Sequence, residues 1–120
     1  MGDNKNEKVM IVDDSEPMQT RIKDLLLRVF ERITIKHALN CQEALKLFSS
    51  FEPDVVILDL DLPDGSGIDL LRKFKGDKPA VNVIIFTNYP TSEFKMRCMD
   101  LKADHFIDKS QPLSLVDALR

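Results

Sequence analysis

The stretch Val55-Val56-Ile57-Leu58-Asp59-Leu60-Asp61-Leu62-Pro63-Asp64-Gly65-Ser66-Gly67 decides how this chain folds. It opens on four apolar residues in a row, three of them β-branched, a composition that favours strands. The apolar positions do not alternate with polar ones, so the strand must be covered on both faces. A carboxylate, Asp59, closes it. The Pro, Asp and Gly residues that follow interrupt regular structure. Helical spacing takes over near Ser66 with Ile68, Leu70, Leu71 and Phe74, and ends at Gly76. A buried strand feeding a helix is one repeat of a parallel, helix-covered sheet.

The same unit recurs on either side. Runs rich in β-branched residues predict strands at 8–12, 34–38, 54–58, 82–86 and 104–107. The first helix starts after Ser15, with Pro17 in its first turn, where a missing N–H costs little. Its apolar stripe is Met18, Ile22, Leu25, Leu26 and Val29. Asn40 is placed to cap the second helix, which carries Ala44, Leu45, Leu47 and Phe48 before Pro53 stops it. The fourth opens near Thr91 or Ser92 and packs through Phe94, Met96, Met99 and Leu101; the last starts at Pro112 and runs to the C-terminus. Right-handed crossovers leave few topologies for five such units. The fold predicted is α/β and flavodoxin-like: a doubly wound (βα)5 domain whose five-stranded parallel sheet has the order 2-1-3-4-5. Residues 8–120 form this domain, and residues 1–7, polar and charged, a flexible N-terminal segment.

Composition narrows the function. A chain of 120 residues buries a core without disulfides or structural metal. A net charge of -3 argues against bulk electrostatic attraction to nucleic acid, so no direct nucleic-acid binding is expected. No membrane association is expected either: the longest apolar runs, Val55-Val56-Ile57-Leu58 and Val83-Ile84-Ile85-Phe86, are far too short to span a bilayer, and no signal peptide is seen. Cys41 and Cys98 are far apart and in no CxxC pattern, which fits reduced thiols in a cytoplasmic protein.

In open α/β sheets ligands bind at the carboxyl ends of the strands. The first predicted strand ends in Asp13-Asp14, the third in Asp59, the fourth in Thr87 and the fifth in Asp108-Lys109. In the predicted order the first, third and fourth strands are neighbours. Three carboxylates therefore converge on one rim, with a hydroxyl and an ammonium at its margin. Clustered carboxylates raise one another's pKa, and a hard cation relieves them. Mg²⁺ takes carboxylate, carbonyl, water and phosphate oxygens. Beside it a carboxylate can attack phosphorus to form an aspartyl-phosphate, with Lys109 and Thr87 stabilising the charge on the phosphoryl oxygens.

These residues resemble the receiver domains of two-component response regulators, over about residues 7–120. Val9-Met10-Ile11-Val12-Asp13-Asp14-Ser15 resembles the family's first strand and acidic pair. The stretch from Val55 to Gly67 resembles its phosphoacceptor strand and loop. Val83-Ile84-Ile85-Phe86-Thr87 resembles the strand that ends in the switch hydroxyl, and Ala103-Asp104-His105-Phe106-Ile107-Asp108-Lys109-Ser110 the last strand with its aromatic and lysine. The resemblance implies that Asp59 accepts a phosphoryl group from the phosphohistidine of a histidine kinase or phosphotransfer protein. It implies that Asp13, Asp14 and Asp59 hold Mg²⁺ together with the backbone carbonyl of Asp61, and that Lys109 pairs with the phosphoryl oxygens. Thr87 then moves toward the phosphate and Phe106 rotates inward. That remodels the face of helix 4, strand 5 and helix 5, where an effector domain or protein, or a second copy in a homodimer, would dock. Such a domain is a slowly self-dephosphorylating phosphoacceptor rather than a turnover enzyme.

Four positions depart from the family pattern. Ser110 stands where Pro is usual, so a cis peptide there is not required. Asn88 follows Thr87 where a smaller residue is usual, Lys102 stands where Gly often ends helix 4, and Pro90 stiffens the loop after Thr87. His37 and His105 lack partners at metal-ligand spacing and read as surface residues. Two other functions compete. Asp59-Leu60-Asp61 also resembles the nucleophile motif of haloacid-dehalogenase-type phosphatases, but on the third strand and in a short chain, and with Asp13-Asp14 unexplained. A phosphorylation-independent binding module on the same fold would not need the reactive residues, all of which are present. The short last helix, ending at Arg120, suggests a receiver taken from a longer chain over a stand-alone regulator.

Overall fold

The computed structural model describes residues 6–120. The elements are β1 (Glu7–Val12), α1 (Glu16–Val29), β2 (Ile33–Ala38), α2 (Cys41–Phe51), β3 (Val55–Leu58), β4 (Asp61–Leu62), β5 (Gly65–Ser66), α3 (Gly67–Asp77), β6 (Asn82–Thr87), α4 (Ser92–Asp100), β7 (His105–Asp108) and α5 (Leu113–Leu119). Five strands form one sheet in the order β2-β1-β3-β6-β7, every neighbouring pair parallel. Counted within that sheet alone, this is the predicted order. β4 and β5 form a separate antiparallel hairpin that the sequence did not announce. Residues 1–5 of the N-terminal segment lie outside the described residues, and Glu7 already pairs with Ile33, so the strand begins one residue before its predicted start.

The period-two geometry of β3 explains the need for apolar residues at every position. Val56 and Leu58 face a layer that includes Phe48 of α2 and Phe74 of α3. Val55 and Ile57 face the opposite layer, with Ile22 and Leu26 of α1 and Leu115 and Leu119 of α5. All four β3 side chains are buried. Local signals set the helix starts. Ser15, Asn40, Ser66 and Thr91 cap α1, α2, α3 and α4, each accepting from a backbone N–H of the first turn.

Some apolar positions turn out differently. Val29, Leu45, Met96 and Met99 are exposed. α2 buries Ala44, Phe48 and Phe51. In α4 the predicted packing through Met96 and Met99 is wrong: the buried side chain is Cys98, with Phe94 and Leu101 packed against the core beside it. Positions 94, 98 and 101 recur at i, i+4 and i+7 and share a helix face, and 96 and 99 lie off it.

The end of α4 keeps the cap that the missing glycine had put in question. Lys102 has φ 74, in the left-handed region. Its N–H donates to Met99 O at 3.0 Å and the Ala103 N–H to Cys98 O at 3.0 Å, the paired bonds of a Schellman cap. A side chain in that region is strained where glycine is not. Lys102→Gly should therefore raise the unfolding free energy by about 0.5–1 kcal/mol, read as a higher urea midpoint at unchanged slope. A lower midpoint would show that the cap holds Lys102 without strain.

Candidate functional site

At the carboxyl end of β1 the chain is tied in several directions at once. The Asp13 N–H donates to Ala38 O at 3.1 Å, and Asp13 Oδ1 accepts the Ser15 N–H at 2.9 Å. One strand over, the Asp59 N–H donates to Val12 O at 2.9 Å. Asp13 and Asp59 are 2% and 6% exposed, unusual burial for carboxylates. Lys109, just beyond β7, accounts for it. Its Nζ lies 2.7 Å from Asp13 Oδ2 and 3.1 Å from Asp59 Oδ2. The Lys109 N–H donates to Thr87 O at 2.9 Å, which locks the end of β7 to the end of β6.

Asp14 is exposed and completes a triad: Asp13, Asp14 and Asp59 each bring a carboxylate oxygen within 4.8 Å of the other two. Three carboxylates thus face one ammonium, and the cluster keeps an excess of negative charge. Its donors are all oxygen, the set that suits a hard divalent cation. Burial pushes the Asp59 carboxyl above its usual range; Lys109 opposes this, and the Asp13 charge adds to it. Burial alone would lower the Lys109 ammonium, but its hydrogen bond to Asp13 and the charges of Asp59 and Asp13 outweigh that and hold it above its usual value.

Some of the remaining residues singled out in the sequence border this cluster and others lie away from it. The Asp61 N–H donates to Asp59 Oδ1 at 3.4 Å, so the Asp61 backbone runs beside the carboxylate. Thr87 is fully buried, and its Oγ1 accepts the Tyr89 N–H at 2.9 Å. Phe106 is half-buried against the core layer that contains Phe74. Ser110 forms a trans peptide and donates its N–H to Asp108 Oδ1 at 2.9 Å, a bond that proline lacks. Asn88 and Tyr89 are exposed beside Thr87. His37 and His105 are exposed and outside the acidic triad. Gly67 packs against the loop so closely that a Cβ there would meet Asp59 O at 2.1 Å.

Sequence reading missed Gln19. It lies on the buried face of α1 with Ile22 and Leu26. Its Nε2 lies 3.1 Å from Ile11 O, 3.0 Å from Asp13 O and 3.1 Å from Ala38 O. Gln19 thereby ties the backbone of Asp13 to both β1 and β2. A polar residue at i−3 and i−7 from two core positions was the available signal, because a buried amide must find partners.

The profile of the response regulator receiver domain family matches residues 9–120, and this chain belongs to that family. It is 29% identical over 114 residues to the chemotaxis protein CheY of Halobacterium salinarum, covering 94% of this chain and 93% of that one. It is 32% identical over 102 residues to the transcriptional activator DevR/DosR of Mycobacterium tuberculosis, covering 85% of this chain and 47% of that one. Against a methylesterase/glutaminase of Clostridium acetobutylicum it is 34% identical over 87% of this chain, which spans 31% of the relative. A CheY-like receiver structure from Methanospirillum hungatei superposes with a TM-score of 0.86 at 26% identity, over 94% of this chain and 90% of that one. The chain is thus a two-component signalling receiver domain. The dehalogenase-type reading is not favoured. Among the described residues no helix is long and apolar enough to cross a membrane.

The raised pKa of Asp59 carries a sign for stability. A carboxyl whose folded pKa lies above its unfolded one binds its proton more tightly in the fold. Its ionisation therefore costs stability, and the cost grows as pH rises from the unfolded value of about 3.8 to the higher folded value, then stays constant. In EDTA, Asp59→Asn should melt higher than the unsubstituted chain at pH 7, and the difference should shrink as pH falls through that window. Melting curves across pH test this; an equal or lower melting temperature at pH 7 would contradict it.

Proposed function

We propose that this chain is a phosphorylation switch: Asp59 takes a phosphoryl group from the phosphohistidine of a histidine kinase or phosphotransfer protein, with Mg²⁺ held at Asp13, Asp14 and Asp59. The observation that carries this reading is the Lys109 ammonium lying between two buried carboxylates at the rim where Asp14 joins them. An ordinary structural ion pair needs one carboxylate, and this rim gathers three oxygen donors around one point.

Each residue then has a task. A carboxylate oxygen of Asp59 attacks phosphorus; the O–P bond forms as the P–N bond to the donor imidazole breaks. When bound, Mg²⁺ neutralises the carboxylates and the charge on the phosphoryl oxygens. Asp61 contributes its backbone carbonyl to the same ion. Lys109 leaves Asp59 Oδ2 for a phosphoryl oxygen, a charge-assisted bond that keeps its proton. Thr87 gives up the Tyr89 N–H and turns its hydroxyl to the phosphate, and Phe106 follows into the space released. Phosphorylation adds only about -1.5 to -2 charge units, so it acts by biasing an element with two arrangements.

That element is the face of α4, β7 and α5. Met96 is 66% and Leu113 69% exposed there, and Tyr89 and Met99 are exposed at its edge, which supports docking of an effector domain or protein, or of a second copy as a homodimer. The reading places the chain in the cytoplasm, without nucleic-acid or membrane contact of its own, as a phosphoacceptor that slowly loses its phosphate rather than a turnover enzyme. The chain spans about half or less of the length of two of the relatives it matches.

Acetyl phosphate with Mg²⁺ should label the chain once, and Asp59→Asn or EDTA should abolish the label. Beryllofluoride with Mg²⁺ should shift the NMR signals of Thr87 and Phe106. Labelling of Asp59→Asn at the same stoichiometry would remove Asp59 from its role, and unmoved signals would favour a phosphorylation-independent module.

A further inference from the structure

The loop that delivers Asp61 is held from a second side. After Asp59 the chain forms the β4–β5 hairpin, with Asp61 opposite Ser66 and Leu62 opposite Gly65. Its turn, Pro63-Asp64, reaches α2. Asp64 Oδ1 accepts the Cys41 N–H at 2.7 Å, and Asp64 Oδ2 accepts the Gln42 N–H at 3.0 Å. Cys41 and Gln42 are the first two residues of α2, whose N–H groups find no partner within the helix. Glu43, the third, donates to the helix's own cap Asn40 at 2.8 Å. The start of α2 is therefore capped in two halves, one from its own flank and one from the phosphoacceptor loop. The negative carboxylate also sits at the positive end of the helix.

The contact is close on the side-chain level too. A Cβ on Gly65 would lie 3.1 Å from Cys41 Sγ. Burial and a hydrogen bond to Asp64 push the Cys41 thiol up to about 11. The N–H of Cys41 above all, with that of Gln42, holds the Asp64 carboxyl below its usual range against a smaller desolvation effect. Leu62 anchors the other side of the hairpin in the core.

We propose that Asp64 is a positioning residue for the divalent cation: by clamping the hairpin turn to the N-terminus of α2, it sets where the Asp61 carbonyl stands relative to Asp13, Asp14 and Asp59. The inference rests on the metal-dependent reading of this site. Asp64 touches neither the ion nor the phosphate. It acts through two residues of strand and a turn, and α2 becomes part of the support of the reactive loop.

Calorimetric titration with Mg²⁺ tests it. Asp64→Ala should weaken binding roughly three- to tenfold, less than the loss typical when a group bonded directly to a metal ligand is removed. Cys41→Pro attacks the same clamp from the helix side and leaves every carboxylate in place. Proline is tolerated at a first helical position, and Asn40, at φ -157 and ψ 175, already has the extended backbone required before proline. It should weaken Mg²⁺ similarly, whereas Cys41→Ser, which keeps the N–H, should bind as the unsubstituted chain does. A thiol reagent reports the clamp without metal, because Cys98 is fully buried and Cys41 is not; Asp64→Ala should speed the labelling of Cys41. Folded Asp64→Ala and Cys41→Pro that bind Mg²⁺ like the unsubstituted chain would overturn the inference alone. An unsubstituted chain that takes up no Mg²⁺ would overturn the metal reading, and this inference with it.

Discussion

The ion pairs of Lys109 are the constraint on which the rest of the site depends. Two carboxylates, Asp13 and Asp59, are buried within reach of one Nζ whose own side chain is 6% exposed. An isolated buried carboxylate is expensive, and removing one partner of a buried pair leaves an uncompensated charge. The ammonium must therefore arrive at one point, from a strand that is last in the sheet. It does so because β7 lies beside β6 with Thr87 opposite Asp108, because β6 lies beside β3, and because β3 lies beside β1. Changing the order of strands would strand one of the charges. Fold and chemistry here answer to the same electrostatic requirement, and the surplus negative charge left after pairing is what makes the site receptive to a cation.

Most of this was legible in the chain itself. Unbroken, largely β-branched apolar runs at Val55-Val56-Ile57-Leu58 and Val83-Ile84-Ile85-Phe86 read as strands covered on both sides, which fits two helical layers and a parallel sheet. With strands and helices alternating, each acidic or basic residue that follows a run falls at the same rim. The rule for ligand sites in such sheets then brought Asp13, Asp14, Asp59, Thr87 and Lys109 to one end without coordinates. The Asn40 cap was equally readable, and the helix starts at Ser15 and near Thr91 were placed, since all three act on N–H groups within three positions of themselves.

What could not be read depends on contacts between parts distant in the sequence. Asp64 looks like a turn residue, and nothing local says that its carboxylate meets a helix that begins at Cys41. Gln19 looks like a polar break in an apolar stripe until three carbonyls, from β1, the residue after it and β2, are seen around its amide nitrogen. The exposure of Met96 and Met99 came from helix phase, which a list of apolar residues does not contain. Lys102 shows that a preference for glycine was a matter of strain only, because the backbone bonds that define the cap form with a lysine in place.

The rings of Phe48 and Phe74 are stacked with their centroids 4.2 Å apart and their planes 14° from parallel. One belongs to α2 and the other to α3, so two of the helices on this face of the sheet are joined through their C-terminal halves. A mechanical asymmetry follows. α2 and α3 are joined ring to ring, whereas α4 meets the same layer through Cys98, Phe94 and Leu101. α4 buries a single residue, α2 three and α3 five, so displacing α4 disturbs the least packing on that face.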